Sequence, residues 1–221
     1  MDVTFTKVAR RLGTVAAVGT VMLGTLYGVT LVAGFWSLKS PQQPLGDPLF
    51  SILELLIILS MPLMVALMVS VHAWAAPDGK VFGFMAVVFT SLLTVITSSV
   101  HFVILTVSHQ VGGAGLSSQF FSFKWPSVVY ALDILAWDGF FPLAVLSAAL
   151  VFRGTRLASW VRLLLLLSGA LAAAGLSGPV TGDMRLRNIG VVGYAGLYPF
   201  AAMLLAILFH RTQPRLGASV A

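Results

Sequence analysis

Four ionisable side chains stand well inside otherwise apolar stretches of this 221-residue chain, away from their ends: Glu54, His101, Asp133 and Asp138. Each costs about 2.5–3.5 kcal/mol near the centre of a bilayer even on the mildest scale, so such residues mark proton transfer, ion passage or polar contact between helices. A carboxylic acid in a low-dielectric pocket is a good general acid, and a neighbouring imidazole can take up or return the same proton. Asp133 is therefore the expected acid, Glu54 its partner acid or base, and His101 the group that sets their protonation. Tyr130, Asp133, Trp137 and Phe141 recur at three- and four-residue steps, which places aromatic faces beside a carboxyl. Such faces can steady a cation that protonation creates.

The elements that must position these groups follow from composition. Hydrophobic residues make up 58% of the chain and charged residues 9%. A soluble domain carries about 25% charged residues, so this chain has too few to cover a water-facing surface. Six apolar stretches, 13–36, 49–75, 81–107, 126–151, 158–178 and 188–210, are long enough to cross a bilayer as helices. Turn chemistry separates several of them: Pro41 to Pro48, Pro77 to Gly79, and Pro179 to Gly182. The expectation is an all-α, polytopic six-helix transmembrane bundle forming one domain over 1–221. The first stretch follows Lys7, Arg10 and Arg11 and is too long for a signal-peptide core, so it reads as a retained signal anchor.

Placing both termini on the cytoplasmic side puts Lys7, Arg10, Arg11, Lys80, Arg153, Arg156, Arg162, Arg211 and Arg215 inside. Lys39, Lys124, Arg185 and Arg187 are then outside. That distribution obeys the positive-inside rule and explains the +6 net charge without a nucleic-acid partner. A bacterial inner membrane is the expected location.

Counting along the helices then sets depth. At 1.5 Å per residue, Glu54 lies about 8 Å below Leu49, His101 about 9 Å from Val107, and Asp133 about 11 Å below Pro126. Three helices thus bring three titratable groups to one level. Asp138 lies deeper and about 140° around its helix from Asp133, so it need not face the same cavity. Thr90, Thr94, Thr97, His101 and Ser108 form a polar stripe on the third stretch, and Glu54, Met61, Met68 and His72 share a face of the second. His72 is close enough to the interface to be discounted. Tyr194, Tyr198 and Pro199 could complete a pocket wall, with Asp138 and Thr97 also available to a substrate. Gly24 and Gly28 form a GxxxG close-packing motif, and the glycines of the last two stretches suggest a tight hairpin. Loop 108–125 carries Phe120, Phe121, Phe123 and Trp125, and reads as an interfacial anchor in preference to a lid.

No Lys or Arg falls deep within a stretch, so the acids are expected to lack a permanent cation partner. Three states are open to them: protonated, sharing a proton with His101, or binding an incoming cation. The chain has no cysteine, no intramembrane lysine for a Schiff base, and no HExxH, GxSxG, P-loop or Asp-rich diphosphate motif. Its histidines are not paired at one depth as haem ligands would be. No cofactor and no metal is expected, although carboxylates and an imidazole at one level have the right chemistry for a divalent ion.

The leading expectation is an intramembrane acid/base enzyme that isomerises or cyclises an apolar, lipid-borne, isoprenoid-like substrate by protonation. The alternatives are a proton- or cation-coupled transporter, and an assembly protein whose acids hold helices together. In setting acids among aromatics within a helical bundle, the pattern is similar to small integral-membrane terpene cyclases and sterol isomerases. That similarity is of architecture and covers no matched motif.

Overall fold

In the computed structural model, residues 5–38, 40, 45–107 and 118–213 are described. Ser108, His109 and the rest of 108–117 lie outside them, as do Lys39, Pro41 and Arg215, so the readings that fall on those residues have no counterpart below. The six apolar stretches are six helices: α1 Lys7–Ser37, α2 Leu49–Trp74, α3 Lys80–Val107, α4 Val128–Ala149, α5 Arg156–Thr181 and α6 Met184–Arg211. Each is long and apolar enough to cross a membrane, and no strand occurs among the described residues. The chain is a multi-pass membrane protein of all-α class.

Several helix ends follow directly from the sequence. Thr6 and Thr155 accept hydrogen bonds from Ala9 and Ala158 and cap α1 and α5. Ser127 caps α4 through the Tyr130 amide and donates to the Ser122 carbonyl, which ties the preceding aromatic segment to the start of α4. Lys80 donates to the carbonyls of His72 and Ala73 at the end of α2, and His72 Nδ1 meets the Lys80 carbonyl. His72 is thus committed to a turn, as its interfacial position suggested.

Consecutive helices pack side by side and α6 returns to α1, so the bundle closes into a ring. Near the described chain ends the interior is filled by Met68, Leu67, Val71, Phe141, Phe152, Leu205 and Phe209, all essentially buried. Phe5 folds onto Phe209, with ring centroids 5.6 Å apart. In the opposite half, called distal below, α1 runs past a cavity and makes no close seam with the start of α6.

Two wide turns interrupt the regular helices. Leu135–Phe140 in α4 and Val192–Leu197 in α6 are π-helical, with the amides of Phe141 and Tyr198 reaching back five residues to the Ala136 and Gly193 carbonyls. Each precedes a proline, Pro142 and Pro199. A proline has no amide to give and its ring clashes with the carbonyl four residues back, so widening the turn before it relieves both problems. The local pattern is the same in both: aromatic, any residue, Gly, any residue, aromatic, Pro, at 137–142 and 194–199.

The α5–α6 hairpin is close-packed as its glycines suggested. A Cβ on Gly193 would lie 2.5 Å from the Ser168 carbonyl oxygen and 2.8 Å from the Ala172 nitrogen, and Ser168 Oγ donates to the Gly193 carbonyl at 2.9 Å. Gly169 instead faces Leu146 and Val145 of α4. The GxxxG of α1 is corrected: a Cβ on Gly24 or Gly28 would meet nothing within 4 Å. Those glycines seat no helix. Replacing Gly193 by Val should therefore destabilise the bundle by about 1–3 kcal/mol, because backbone atoms must move. Gly24→Ala should leave it unchanged, and thermal unfolding of both variants in detergent micelles checks the contrast.

Candidate functional site

The distal half of the bundle holds a chain of five charged or chargeable groups. Glu54 Oε2 lies 2.7 Å from His101 Nδ1, and His101 Nε2 lies 3.6 Å from Asp133 Oδ1. Asp133 Oδ2 accepts from Arg187 Nη2 at 2.7 Å, and Arg187 Nε donates to Asp138 Oδ2 at 3.0 Å. The order is Glu54, His101, Asp133, Arg187, Asp138, drawn from α2, α3, α4, α6 and α4 again. All five are nearly inaccessible: 5%, 3%, 5%, 7% and 0% exposed. The coincidence of depth read from the sequence is thus a direct contact for Glu54, His101 and Asp133.

One expectation is overturned. The acids do have a permanent cation among them, Arg187. Its place at the very start of α6 made it look like a loop residue, but the chain turns inward there. Gly182, with φ +80°, ends the α5 segment in a left-handed conformation that favours glycine. Asp183 then caps a 3₁₀ turn over Met184–Arg187 by accepting from the Arg185 amide, and hydrogen bonds from the Arg185 side chain hold the Asp183 carboxyl below the usual carboxylate range. Two residues apart in such a turn, Arg185 points to the surface and Arg187 into the bundle. The Arg187 guanidinium lies over the Tyr130 ring, 4.6 Å from its centroid, and its backbone rests on Gly178. With two carboxylates and an aromatic face, its charge is compensated inside the membrane.

Asp138 is also placed differently from a substrate-binding residue. Its Oδ1 is wedged against Gly175 and Gly190, where any Cβ would collide with it, and it does not line the cavity. It holds Arg187. Thr97 and Phe141 are likewise fully buried and absent from the cavity wall. Phe141 instead supports that wall, with Tyr194 and Tyr198 rings 6.1 and 5.2 Å away and Trp137 at 5.8 Å.

The cavity itself has a volume of about 470 Å3, within the range of small-molecule sites. Its polar end is formed by Glu54, His101, Asp133 and Arg187, with Tyr130 beside them. Trp137, Tyr194 and Tyr198 make one wall, and Phe50, Ile57, Met61 and Met64 of α2 another. Tyr27, Gly24 and Gly28 of α1 complete it. The sequence reading missed Tyr27, Phe50, Phe123 and Arg187. Phe123 stacks on the His101 ring at 5.3 Å and packs edge-on against Tyr130 at 5.7 Å, so this aromatic of the loop supports the imidazole rather than anchoring in headgroups. A signal for Arg187 was available: three buried acids require a cation, and of the four basic residues on their side of the membrane Arg187 is nearest to a span.

Two polar atoms at the cavity's polar end make no hydrogen bond, His101 Nε2 and Asp133 Oδ1. Their 3.6 Å separation is within ion-pair reach but too long for a hydrogen bond. Glu54, in contrast, fixes Nδ1, which orients the ring and leaves Nε2 directed at the gap. Since Glu54 and Asp133 meet opposite nitrogens of one imidazole, the three donors do not converge on a point a metal ion could occupy. Among the described residues no cluster of three metal-ligating side chains is found.

Charge counting completes the description. Three carboxyl groups face one guanidinium, so with all three ionised and His101 neutral the chain of groups would carry two uncompensated negative charges. A proton on His101 removes one. Proton exchange at this site is thus tied to its electrostatic balance. Comparison with known proteins finds no match: no family model, no curated protein and no solved structure aligns with the chain.

Removing the cation should be the most disruptive single change in the site. Arg187→Met leaves Asp138 buried and unpaired and Asp133 with His101 alone, with an expected loss of about 3–5 kcal/mol. Combining it with Asp138→Asn should restore part of that loss, so the double variant is less destabilised than the sum of the singles. Chemical or thermal unfolding of the three variants in micelles measures it.

Proposed function

We propose that the chain is an intramembrane acid/base catalyst acting on an apolar, lipid-borne substrate of isoprenoid-like character. The observation that carries the reading is the His101–Asp133 gap: a buried imidazole nitrogen and a carboxylate oxygen, both without a hydrogen bond, at the polar end of an otherwise apolar cavity. In this scheme the proton is carried by His101 Nε2 rather than by Asp133, whose Oδ2 accepts from Arg187 Nη2. Glu54 orients the ring and balances its charge, as carboxylates do for catalytic histidines.

Protonation of a substrate double bond by the Nε2–H group breaks that N–H bond, forms a C–H bond and leaves a carbocation. Trp137, Tyr130 and Tyr194 offer aromatic faces to the cation, and the Asp133 charge lies nearby. Return of a proton from an adjacent carbon to Nε2 regenerates the imidazolium, so the double bond moves with no net consumption of protons. Ring closure before that return would give a cyclised product by the same proton balance.

A second reading, a proton-coupled carrier, is favoured by one observation. Many Ser and Thr hydroxyls of the spans bond back to the carbonyl four residues earlier, as Thr20, Ser60, Ser70, Ser91 and Ser147 do. The buried Oγ1 atoms of Thr90, Thr94 and Thr97 do not, and they have no other partner. At 100° per residue they share the His101 face of α3 within about 60°. They could pass a proton inward from His101. Below Thr90, however, that face continues with Ala86 and Gly83, which offer no side-chain donor or acceptor.

The catalytic reading is tested without knowing the substrate. Membrane lipid extract incubated with the purified protein in D2O should gain deuterium in an isoprenoid component, read by mass spectrometry. His101→Gln and Glu54→Gln should slow that labelling by about 10²–10⁴-fold while keeping the wild-type melting profile. Equal labelling by folded His101→Gln protein would remove His101 as the proton carrier. In proteoliposomes, a pH gradient dissipated by the wild type but not by Thr94→Val/Thr97→Val would favour the carrier instead.

A further inference from the structure

The shape and polarity of the cavity narrow the class of molecule it takes. His101 Nδ1 is taken by Glu54, so a protonated ring presents one donor, Nε2–H, while Asp133 Oδ1 across the gap presents an acceptor. A group that accepts from one and donates to the other satisfies both, and a hydroxyl does so with one oxygen. Both atoms are inaccessible at their 3.6 Å separation, so the two side chains part to admit that oxygen at hydrogen-bond distance from each. A carbonyl or ether can only accept, and an ammonium can only donate.

The remaining lining is mainly apolar, with Thr20, Ser60, Tyr27, Tyr194 and Tyr198 among it, and it reaches the outer surface of the bundle. Gly24 of α1 and Val191 and Ala195 of α6 line the cavity and are themselves exposed at its rim. Since a Cβ at Gly24 or Gly28 would meet nothing, the small residues of α1 leave a groove that continues the cavity sideways. The α1 glycines line the same cavity as His101 and Asp133, which are more than nine-tenths buried and whose Nε2 and Oδ1 atoms make no hydrogen bond.

We propose that this space holds a lipid alcohol, its hydroxyl set between His101 Nε2 and Asp133 Oδ1 and its hydrocarbon laid along the Gly24–Gly28 face of α1, admitted sideways between α1 and α6. The assignment rests on reading the cavity as a substrate site, but concerns binding and not turnover. Val191 and Ala195 form one lip of the opening and the α1 glycines the other. Trp137 and Tyr198 flank the path between them and the polar end.

Saturable binding of tritiated farnesol to the protein in micelles, with unlabelled competitors, tests it. Farnesol should compete at least about tenfold better than farnesyl methyl ether, which keeps the acceptor and loses the donor, and better than farnesylamine. Gly24→Leu, which has room to fold, should weaken farnesol binding by about tenfold or more with an unchanged melting profile. Absence of saturable binding, equal competition by the ether, tighter binding of the amine, or full binding by folded Gly24→Leu protein would each overturn the assignment. Selective alcohol binding without deuterium exchange into any lipid would support the assignment and remove catalysis instead. Exchange with no preference for alcohol over ether would do the reverse.

Discussion

A guanidinium inside a membrane is the constraint on which the arrangement depends. Without two carboxylates and an aromatic face, burying Arg187 would be prohibitive, and without Arg187 the carboxylates of Asp133 and Asp138 would be equally so. Their mutual compensation locks the turn at 182–187 to α4. The same Asp133 carboxylate then faces His101 of α3, and His101 faces Glu54 of α2. Four helices are thereby held in register by one line of charged groups. Helix α1 contributes none of them, and it is along α1 that the cavity opens.

The two π-helical segments make that line possible. In a regular helix, residues 133 and 138 point about 140° apart and could not share a cation as close neighbours. Asp138 lies in the widened turn 135–140, and both carboxylates reach one guanidinium, Asp138 at Nε and Asp133 at Nη2. The matching segment in α6 brings Tyr194 against Trp137, with ring centroids 5.0 Å apart. Two prolines therefore shape both the charged line and the aromatic wall below it. Glycines on α5 and α6 provide the space: Gly175 and Gly190 admit the Asp138 carboxyl, and Gly178 admits the backbone at Arg187.

Much of this was legible in advance. Length and hydropathy of the six stretches follow from the need to satisfy every backbone group within a membrane, and a helix does this locally. The common depth of Glu54, His101 and Asp133 required only the rise per residue and the positions of the turns. The aromatic face of Tyr130 and Trp137 was visible from spacing, although Phe141, read on the same face, lies behind the cavity wall. The partner of Asp138 was not, because helical periodicity of 3.6 residues misplaces any side chain beyond a π-turn. The role of Gly24 and Gly28 was misread for a related reason: a GxxxG pattern records small volume, and volume alone does not say whether a helix or a ligand fills it.

Composition and hydrophobic periodicity by themselves determined that the chain is a six-helix membrane protein and that three titratable groups lie at one level. These are local properties, set by rise, span length and the expense of charge in hydrocarbon. Only the tertiary structure decided which charges pair, since that depends on how helices rotate about their axes and on the inward turn that delivers Arg187. It also decided that His101 is oriented by Glu54 on one nitrogen and left without a hydrogen bond on the other. From that asymmetry comes the pair of buried polar atoms without a hydrogen bond on which the proposed chemistry rests.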